Sequence, residues 1–513
     1  MKLPIGIQSF QKIREKEYYY VDKTTFIHDL IENGSYYFLS RPRRFGKSLL
    51  VDTMQELFEG NELMFKGLYI YDEWDWSKKY PVIKISFGGG VLKSREELDF
   101  RIHKIIEENV SRLNVEIDSE NDISGKFREL IRNTEKLHGQ RVAILVDEYD
   151  KPILDNIENH DVALEMREGL KNFYSPIKEA DAHVKFVFLT GVSKFSKVSL
   201  FSGLNNLTDI TLDQRYSAIC GYTEQDLETV FKDPVSKFDR TEVRKWYNGY
   251  NWLGEPVYNP FDLLLLFDKG RMSPYWFETG TPTFLIKLLK ERTTWLPGLN
   301  DIFATEKLLS TFDVDHIPTE ALMFQAGYLT IKDSQEMPGR LEVQLSYPNK
   351  EVETALNDSL LLALTSESSG YQKNVSLAHK AMIGGDLKKL EHVLKAFYAS
   401  IPYQWFVKNN IAEYEGYYAS VFYAIFASSG LDVTCEESSN RGRLDMAVKY
   451  QDKVYLFEFK ILENHSTGSA LRQIKEQGYA DKYKNERNEI FLIGIEFSAE
   501  ERNIHHFDWE KVE

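Results

Sequence analysis

Cysteine is nearly absent: Cys220 and Cys435 are the only two in 513 residues. A disulfide-stapled extracellular framework needs more, so the chain reads as built for a reducing cytoplasm. Long apolar runs are missing too; none approaches the ~20 residues that span a bilayer. The opening MKLPIGIQSF has no signal-peptide core. A cytoplasmic protein without a membrane partner is the expectation. Basic charge is also short, with 63 Lys and Arg against 79 Asp and Glu and a net charge of −16. Proteins that coat nucleic acid are usually basic, so broad electrostatic DNA binding is disfavoured. A local basic groove or a metal-bridged contact is not. What is present, 42% hydrophobic and 13% aromatic residues, suffices for real cores. The length points to two to four domains.

One stretch organises the rest: Tyr37–Leu50, YFLSRPRRFGKSLL. An apolar run, Tyr36 to Leu39, reads as a buried strand, followed by a turn, Gly46-Lys47-Ser48, and a helical stretch. That is the P-loop order of strand, loop and helix. Backbone N–H groups of the loop and helix N-terminus point at phosphate oxygens. Lys47 would reach the outer phosphates and Ser48 would offer its hydroxyl to Mg²⁺. The expected ATP cradle is Arg44, Phe45, Gly46, Lys47, Ser48 and Leu49. The motif wants glycine where this chain has Arg41, so a basic surface turn that merely contains GKS is the competing reading.

Val142–Asp150, VAILVDEYD, tips the balance. Four apolar β-formers lead into Asp147 and Glu148, the pattern of a Walker B strand. Asp147 would sit near Mg²⁺ and Glu148 would polarise the attacking water. Alone, this is equally a buried strand ending in an acidic turn. Val184–Thr190 is another buried strand. Thr190 at its end, with Ser193 second, is the candidate γ-phosphate sensor of the additional-strand P-loop class; a capped turn explains either one alone. Tyr80–Phe87 is a further strand, followed by Gly88-Gly89-Gly90, and helices are expected near 95–113, 123–138 and 162–180. Strands separated by helices predict a parallel α/β sheet with ligand at the strand C-terminal ends.

VDKTTFIHDLIENGSYYFLSRPRRFGKSLLVDTM, LVDEYDKPI, TGVSKFSKVSLFSGLNNLTDIT and CGYTEQDL closely resemble the bacterial AAA-ATPase-like family. Members carry the same RPRRFGKS loop, so the resemblance implies that Arg41 is a family trait and that Lys47, Ser48, Asp147 and Glu148 keep their roles. WYNGY (246–250), YNP (258–260) and YWFETG (275–280) also resemble that family. They read as aromatic core of a helical lid. Arg215, or another arginine, is a candidate for acting in trans on a neighbour's nucleotide. Residues 318–347 read as a helix and two strands, winged-helix-like, for which a DNA role is one reading.

The last hundred residues carry a second pattern of order α-β-β-β-α-β: a helix 412–429, a strand 431–436, residues 441–445 leading into a strand that ends at Tyr450, a strand 454–460, a helix 468–483 and a last strand 489–497. Asp445 and Glu458-Phe459-Lys460 have the form D…ExK. Alternation along a strand places Glu458 and Lys460 on one face. Asp445 on the neighbouring strand joins Glu458 to hold Mg²⁺, and Lys460 orients water or stabilises charge. Glu415 is a candidate further carboxylate. A cross-strand salt bridge is the plainer alternative. GRLDMAVKYQDKVYLFEFK and ALRQIKEQGYADKY resemble the PD-(D/E)XK nuclease-like domain, which implies that Asp445, Glu458 and Lys460 are its active-site set and that Gln473 lines the site. Residues 411–513 hold 12 Lys and Arg against 19 Asp and Glu, a poor balance for phosphate contacts.

The expected fold class is α/β: a P-loop ATPase parallel sheet with a helical lid, followed by a PD-(D/E)XK nuclease-like α/β domain. The expected boundaries are 1–220 for the ATPase, 221–347 for the lid region, 348–405 for a helical connector and 406–513 for the nuclease-like domain. ATP and Mg²⁺ are the expected cofactors, and DNA or RNA, a second copy or a protein partner the expected macromolecules. The leading reading is an ATPase whose nucleotide state controls nucleic-acid cleavage. Its alternatives are an ATPase switch with an inactive nuclease fold as binding module, and a scaffold that binds nucleotide for stability alone.

Overall fold

Parallel strands with apolar residues on both faces must be covered on both sides, and five of them build the first sheet. They are β1 (Tyr36–Ser40), β2 (Val82–Ser86), β3 (Val142–Asp147), β4 (Val184–Gly191) and the short β5 (Thr208–Asp209). The order is β2-β3-β4-β1-β5, and every pairing is parallel. Strand β4 therefore lies between the strand of the GKS loop and the strand of Asp147. Leu39 pairs with Thr190 and Ser86 with Asp147, so all the sequence-singled loops leave the same edge. Helices Lys47–Phe58 (α1), Arg95–Leu113 (α2), Ile123–His138 (α3) and His160–Tyr174 (α4) cover the sheet. α1 does so because Leu50, Met54, Leu57 and Phe58 recur at helical spacing and are buried.

The computed structural model describes residues 1–194 (bar 119 and 121), 206–277, 285, 286, 289, 296–309, 318–365, 370–401, 415–439, 442–462, 466–486 and 489–512. Part of the family-like stretch (195–205), residues 278–280, Arg441 and the side chain of Glu415 lie outside that set. The chain divides into two compact units, Met1–Gly280 with Asp301–Asn349, and Thr281–Asn300 with Lys350–Glu513.

The first unit also contains α5 (Pro260–Lys269) and a three-stranded antiparallel sheet. Its strands are β6 (Ile302–Thr305), β7 (Thr330–Met337) and β8 (Arg340–Ser346), in the order β6-β8-β7, with helix α6 (Thr319–Ala326) leading into β7. The expected helix and two strands are present, joined by β6 as a third strand. α6 has no Lys or Arg and buries Ala321 to Gln325, so it is a packing helix. The hairpin carries Lys332 and Arg340 beside Asp333, Glu336 and Glu342, and Arg340 is paired with Glu342 at 2.6 Å.

In the second unit, helices α7 (Lys350–Thr365), α8 (Gly370–Gly384), α9 (Leu387–Ala399) and α10 (Glu415–Ser428) precede the sheet of β9 (Asp432–Ser439), β10 (Gly442–Tyr450), β11 (Lys453–Ile461), β12 (Glu489–Ser498) and β13 (Asn503–Lys511). Its order is β13-β12-β11-β10-β9, antiparallel except for β11 and β12. Helix α11 (Ser469–Gln477) makes the crossover between those two parallel strands. The expected helix 468–483 stops at Gln477 because Gly478 takes a left-handed φ of 62°; a 3₁₀ segment, Tyr479–Glu486, continues it. Strand β13 was not foreseen. The mixed α/β class holds in both units.

Candidate functional sites

The GKS loop turns sharply because two of its residues take left-handed backbone: Arg44 (φ 69°) and Gly46 (φ 92°). Nothing crowds the position a Gly46 side chain would fill, so the glycine serves the turn. α1 starts at Lys47 directly after it, which directs free N–H groups into the loop. The Lys47 ammonium is buried and donates to the carbonyls of Arg41 (2.8 Å) and Pro42 (2.9 Å). Burial pulls its pKa below the ordinary lysine value, against the opposing pull of Asp147.

Arg41 explains itself structurally. Its side chain is fully buried, and Nη1 donates to the carbonyls of Ser40 (2.8 Å) and Thr211 (2.9 Å) while Nη2 donates to Tyr216 (3.1 Å). The guanidinium lies 4.0 Å from the centre of the Trp252 ring. Burial pushes its pKa down to about 10. The arginine at the motif's first position thus anchors the loop to two neighbouring segments. Aromatic side chains complete the backing. Phe45 meets Tyr250 and Trp252 edge-on, and Trp276 Nε1 donates to the Arg43 carbonyl at 3.0 Å. Tyr250, from WYNGY, and Trp276, from YWFETG, are therefore the wall behind the loop. The YNP stretch supplies Asn259, which caps α5, and Pro260 at its first turn.

Across from the loop, Thr190 Oγ1 donates to Asp147 Oδ1 at 2.8 Å. Glu148 stands in left-handed backbone (φ 54°), a conformation that costs a non-glycine residue about 1–3 kcal/mol and is found where function demands it. Burial first, and Asp147 second, raise the Glu148 pKa above its ordinary value. Ser193 does not face this group: its N–H and hydroxyl both donate to Asp150, at 2.6 and 2.5 Å. Asp150 is buried and was missed by the sequence reading, although it stands within the LVDEYDKPI stretch. Gly88 was missed as well. A Cβ there would lie 3.2 Å from Glu148 Oε2, so the glycine turn leaves the carboxylate its space. Arg44, Phe45, Gly46, Lys47, Ser48, Leu49 and Glu148 line one cleft of about 490 Å³. Tyr20, Val21, Tyr222, Phe261 and Leu264 line the same cleft. Loop backbone and cations lining one cleft together with aromatic and aliphatic side chains suit a nucleotide. Arg215 is outside this cleft and tied to Asp213 at 2.6 Å.

In the second unit, β10 and β11 pair Met446 with Phe457. One step further sets Asp445 against Glu458. Asp445 Oδ2 accepts from the Phe459 N–H at 2.7 Å, and Lys460 Nζ sits 3.2 Å from Glu458 Oε1. Gln473 Nε2, from α11, also donates to Glu458 Oε1. The structure thus brings Asp445, Glu458, Lys460 and Gln473 together. Tyr479 joins them: burial first, and the Glu458 carboxylate next, raise its phenol, which hydrogen-bonds Gln473. α11 is held in turn by buried Glu496 of β12, which accepts from the Gly468 and Ala470 N–H groups at 3.0 and 3.2 Å. Glu415 opens α10, and its side chain is outside the described residues. Among the described residues no group of three or more His, Cys, Asp or Glu converges as a metal cage. Two carboxylates on adjacent strands remain, an all-oxygen pair that suits a hard cation still carrying water.

Both cysteines are free thiols, and among the described residues no helix is long and apolar enough to cross a membrane. Residues 4–201 match the family model described as predicted AAA-ATPase, and residues 413–507 match that of the PD-(D/E)XK nuclease superfamily. An Azotobacter chroococcum mcd 1 protein, "Uncharacterized protein in vnfD 5'region", is 54% identical over 504 residues, 98% of each chain. No solved structure matches.

Proposed function

Because the chain belongs to the same family as that Azotobacter protein, and joins a predicted AAA-ATPase domain to a PD-(D/E)XK nuclease superfamily domain, we propose that it is an ATP-hydrolysing protein of the cytoplasm that cleaves nucleic acid under control of its nucleotide state. The observation that carries the ATPase half is one cleft lined by Lys47, Ser48 and Glu148, beside an Asp147 steered by Thr190. Lys47 leaves its two loop carbonyls for the outer phosphates, and Glu148 takes a proton from the attacking water. Ser48 and Asp147 would hold Mg²⁺ in the first unit, and Asp445 with Glu458 in the second. When bound, the metal neutralises phosphate oxygens and makes water a better nucleophile. At the second site Lys460 stabilises the charge that develops on phosphate, and Gln473 holds the Glu458 carboxylate in place.

A second reading has its own support. Glu458 Oε1 is already shared by Lys460 and Gln473, as in a structural ion pair, and the region is acidic. An ATPase switch with a non-cutting nuclease fold, binding DNA, RNA or a protein, fits those facts. The test is cleavage of linear, circular and single-stranded DNA and of RNA, with Mg²⁺ or Mn²⁺, with and without ATP. Cleavage abolished by Asp445→Ala and altered by Lys47→Ala is the expected result. Cleavage indifferent to ATP, ADP and Lys47→Ala refutes nucleotide control. No cleavage of any substrate, with phosphate release intact, selects the second reading.

A further inference from the structure

Five cationic side chains line the nucleotide cleft: Lys23, Arg43, Arg44, Lys47 and Lys151. Four have an occupation. Lys23 is paired with Asp226 at 3.0 Å. Lys151 is paired with Asp155 at 2.5 Å and also donates to the Gly90 carbonyl. Lys47 is held by the carbonyls of Arg41 and Pro42. Arg44 lies over the Phe261 ring, 5.0 Å from its centre. Arg43 differs: its guanidinium has no ion pair or hydrogen bond to any described residue, and the residue is exposed.

Its backbone, in contrast, is fixed. The Arg43 carbonyl accepts from Trp276 Nε1 at 3.0 Å. Pro42 before it is buried beneath Gly327, where even a Cβ would come within 2.8 Å. A rigid main chain therefore carries a free guanidinium, four residues before Lys47, in the cleft that also holds Ser48 and Glu148. Three like charges within five residues repel one another unless an anion joins them. A planar guanidinium is the cation best matched to phosphate oxygens.

The geometry points to Arg43 as a catalytic arginine supplied in cis, touching the γ-phosphate, so that hydrolysis is complete within one chain. This rests on the ATPase reading above. As the water oxygen bonds to the γ-phosphorus, the bridging oxygen–phosphorus bond breaks. ADP leaves with that electron pair, and the water proton passes to Glu148. Arg43 stabilises the charge spread over the γ-phosphoryl oxygens during the transfer. No arginine from a neighbouring copy is required.

The test uses the full chain, as wild type, Arg43→Ala, Arg43→Lys and Glu148→Gln. Phosphate release is followed across a wide range of protein concentration. Melting is followed with ADP and Mg²⁺, then with aluminium fluoride added to mimic the transferring phosphoryl group. Expected for wild type is a turnover per chain that does not change with concentration, and a further melting rise on adding aluminium fluoride. Arg43→Ala is expected to lose about a thousandfold or more in kcat and the aluminium fluoride increment, while keeping the ADP shift. A residue that only supports the fold would lose the ADP shift as well. Arg43→Lys is expected to recover part of the rate. Wild-type kcat in Arg43→Ala, or turnover per chain that climbs with concentration, overturns the assignment alone. A wild type that binds ADP but releases no more phosphate than Glu148→Gln overturns the ATPase reading, and this proposal with it.

Discussion

Restoring the motif's glycine at position 41 is expected to damage the protein. Arg41→Gly would remove a fully buried side chain, three donations to main-chain carbonyls at 2.8, 2.9 and 3.1 Å, and the stack on Trp252. Each hydrogen bond from a charged donor contributes about 1.5–3 kcal/mol net. Removing the charge also ends its desolvation cost, several kcal/mol per buried ion, which offsets a large part of that sum. The hole left behind and the added backbone freedom of glycine work the other way, the latter by roughly 0.5–1 kcal/mol. A net loss of about 3–5 kcal/mol is the balance, comparable to breaking a buried polar anchor. At about 2–4 °C per kcal/mol for a unit of this size, melting falls by roughly 10 °C. Differential scanning fluorimetry of full-length wild type, Arg41→Gly and Arg41→Lys, with and without ADP and Mg²⁺, reads this directly. Arg41→Lys keeps a charge but not the fork, so it should fall between the two. A glycine variant that melts with wild type and binds ADP as tightly would refute the anchoring argument.

Glu148 must be ionised to accept a proton, and burial with Asp147 beside it raises its pKa. The acid limb of kcat/KM should therefore lie above the ordinary glutamate value of about 4.3, with activity lost as pH falls through it; a pH–rate profile with a limb at or below that value would contradict the assignment. Gly88→Ala places a methyl 3.2 Å from Glu148 Oε2, and should lower kcat by roughly ten- to a hundredfold while leaving ADP affinity unchanged, as steady-state kinetics and calorimetry would show. Gly494→Ala sets a Cβ 2.3 Å from the Leu471 nitrogen, where main chain rather than a side-chain tip must yield. A stability loss of about 1–3 kcal/mol in denaturant titration is expected. Gln473→Ala should weaken Mn²⁺ binding at the Asp445–Glu458 pair by about ten- to a hundredfold, measured by calorimetry; unchanged affinity would assign Gln473 to packing.

Local placement was legible because it follows spacing. Strand, turn and GKS fixed the place of Lys47 and Ser48. The apolar run before Asp147 fixed β3, and alternation along β11 put Glu458 and Lys460 on one face. The parallel sheet followed from strands alternating with helices. Long-range partners were not legible, since nothing local encodes them. The resemblance marked Arg41 as a family trait, but its purpose shows only when Thr211, Tyr216 and Trp252 arrive from as far as about two hundred residues away. Asp150 reads as a turn residue until Val192 and Ser193 donate to it. Helix 468–483 was drawn too long because the apolar pattern runs on through Tyr479 and Tyr483, and Gly478 was not read as its stop. Strand β13 escaped because its alternation is weak and its register against β12 shifts between Glu496 and Phe497.

The aromatic stretches whose purpose the sequence concealed follow from the same anchor. A phosphate loop that begins with glycine can turn on its own backbone. One that begins with arginine needs a wall for the guanidinium and acceptors for its fork, which Trp252 and the carbonyls of Thr211 and Tyr216 supply. With Phe45 against Tyr250 and the Arg43 carbonyl on Trp276, the loop's main chain is held along most of its length. Movement is then left to side chains, chiefly Lys47, whose two carbonyl partners a phosphate can replace, and Arg43, which has none to leave. A nucleotide-dependent change in this unit should accordingly begin at those two side chains and at Glu148, in its strained backbone, rather than in the loop itself.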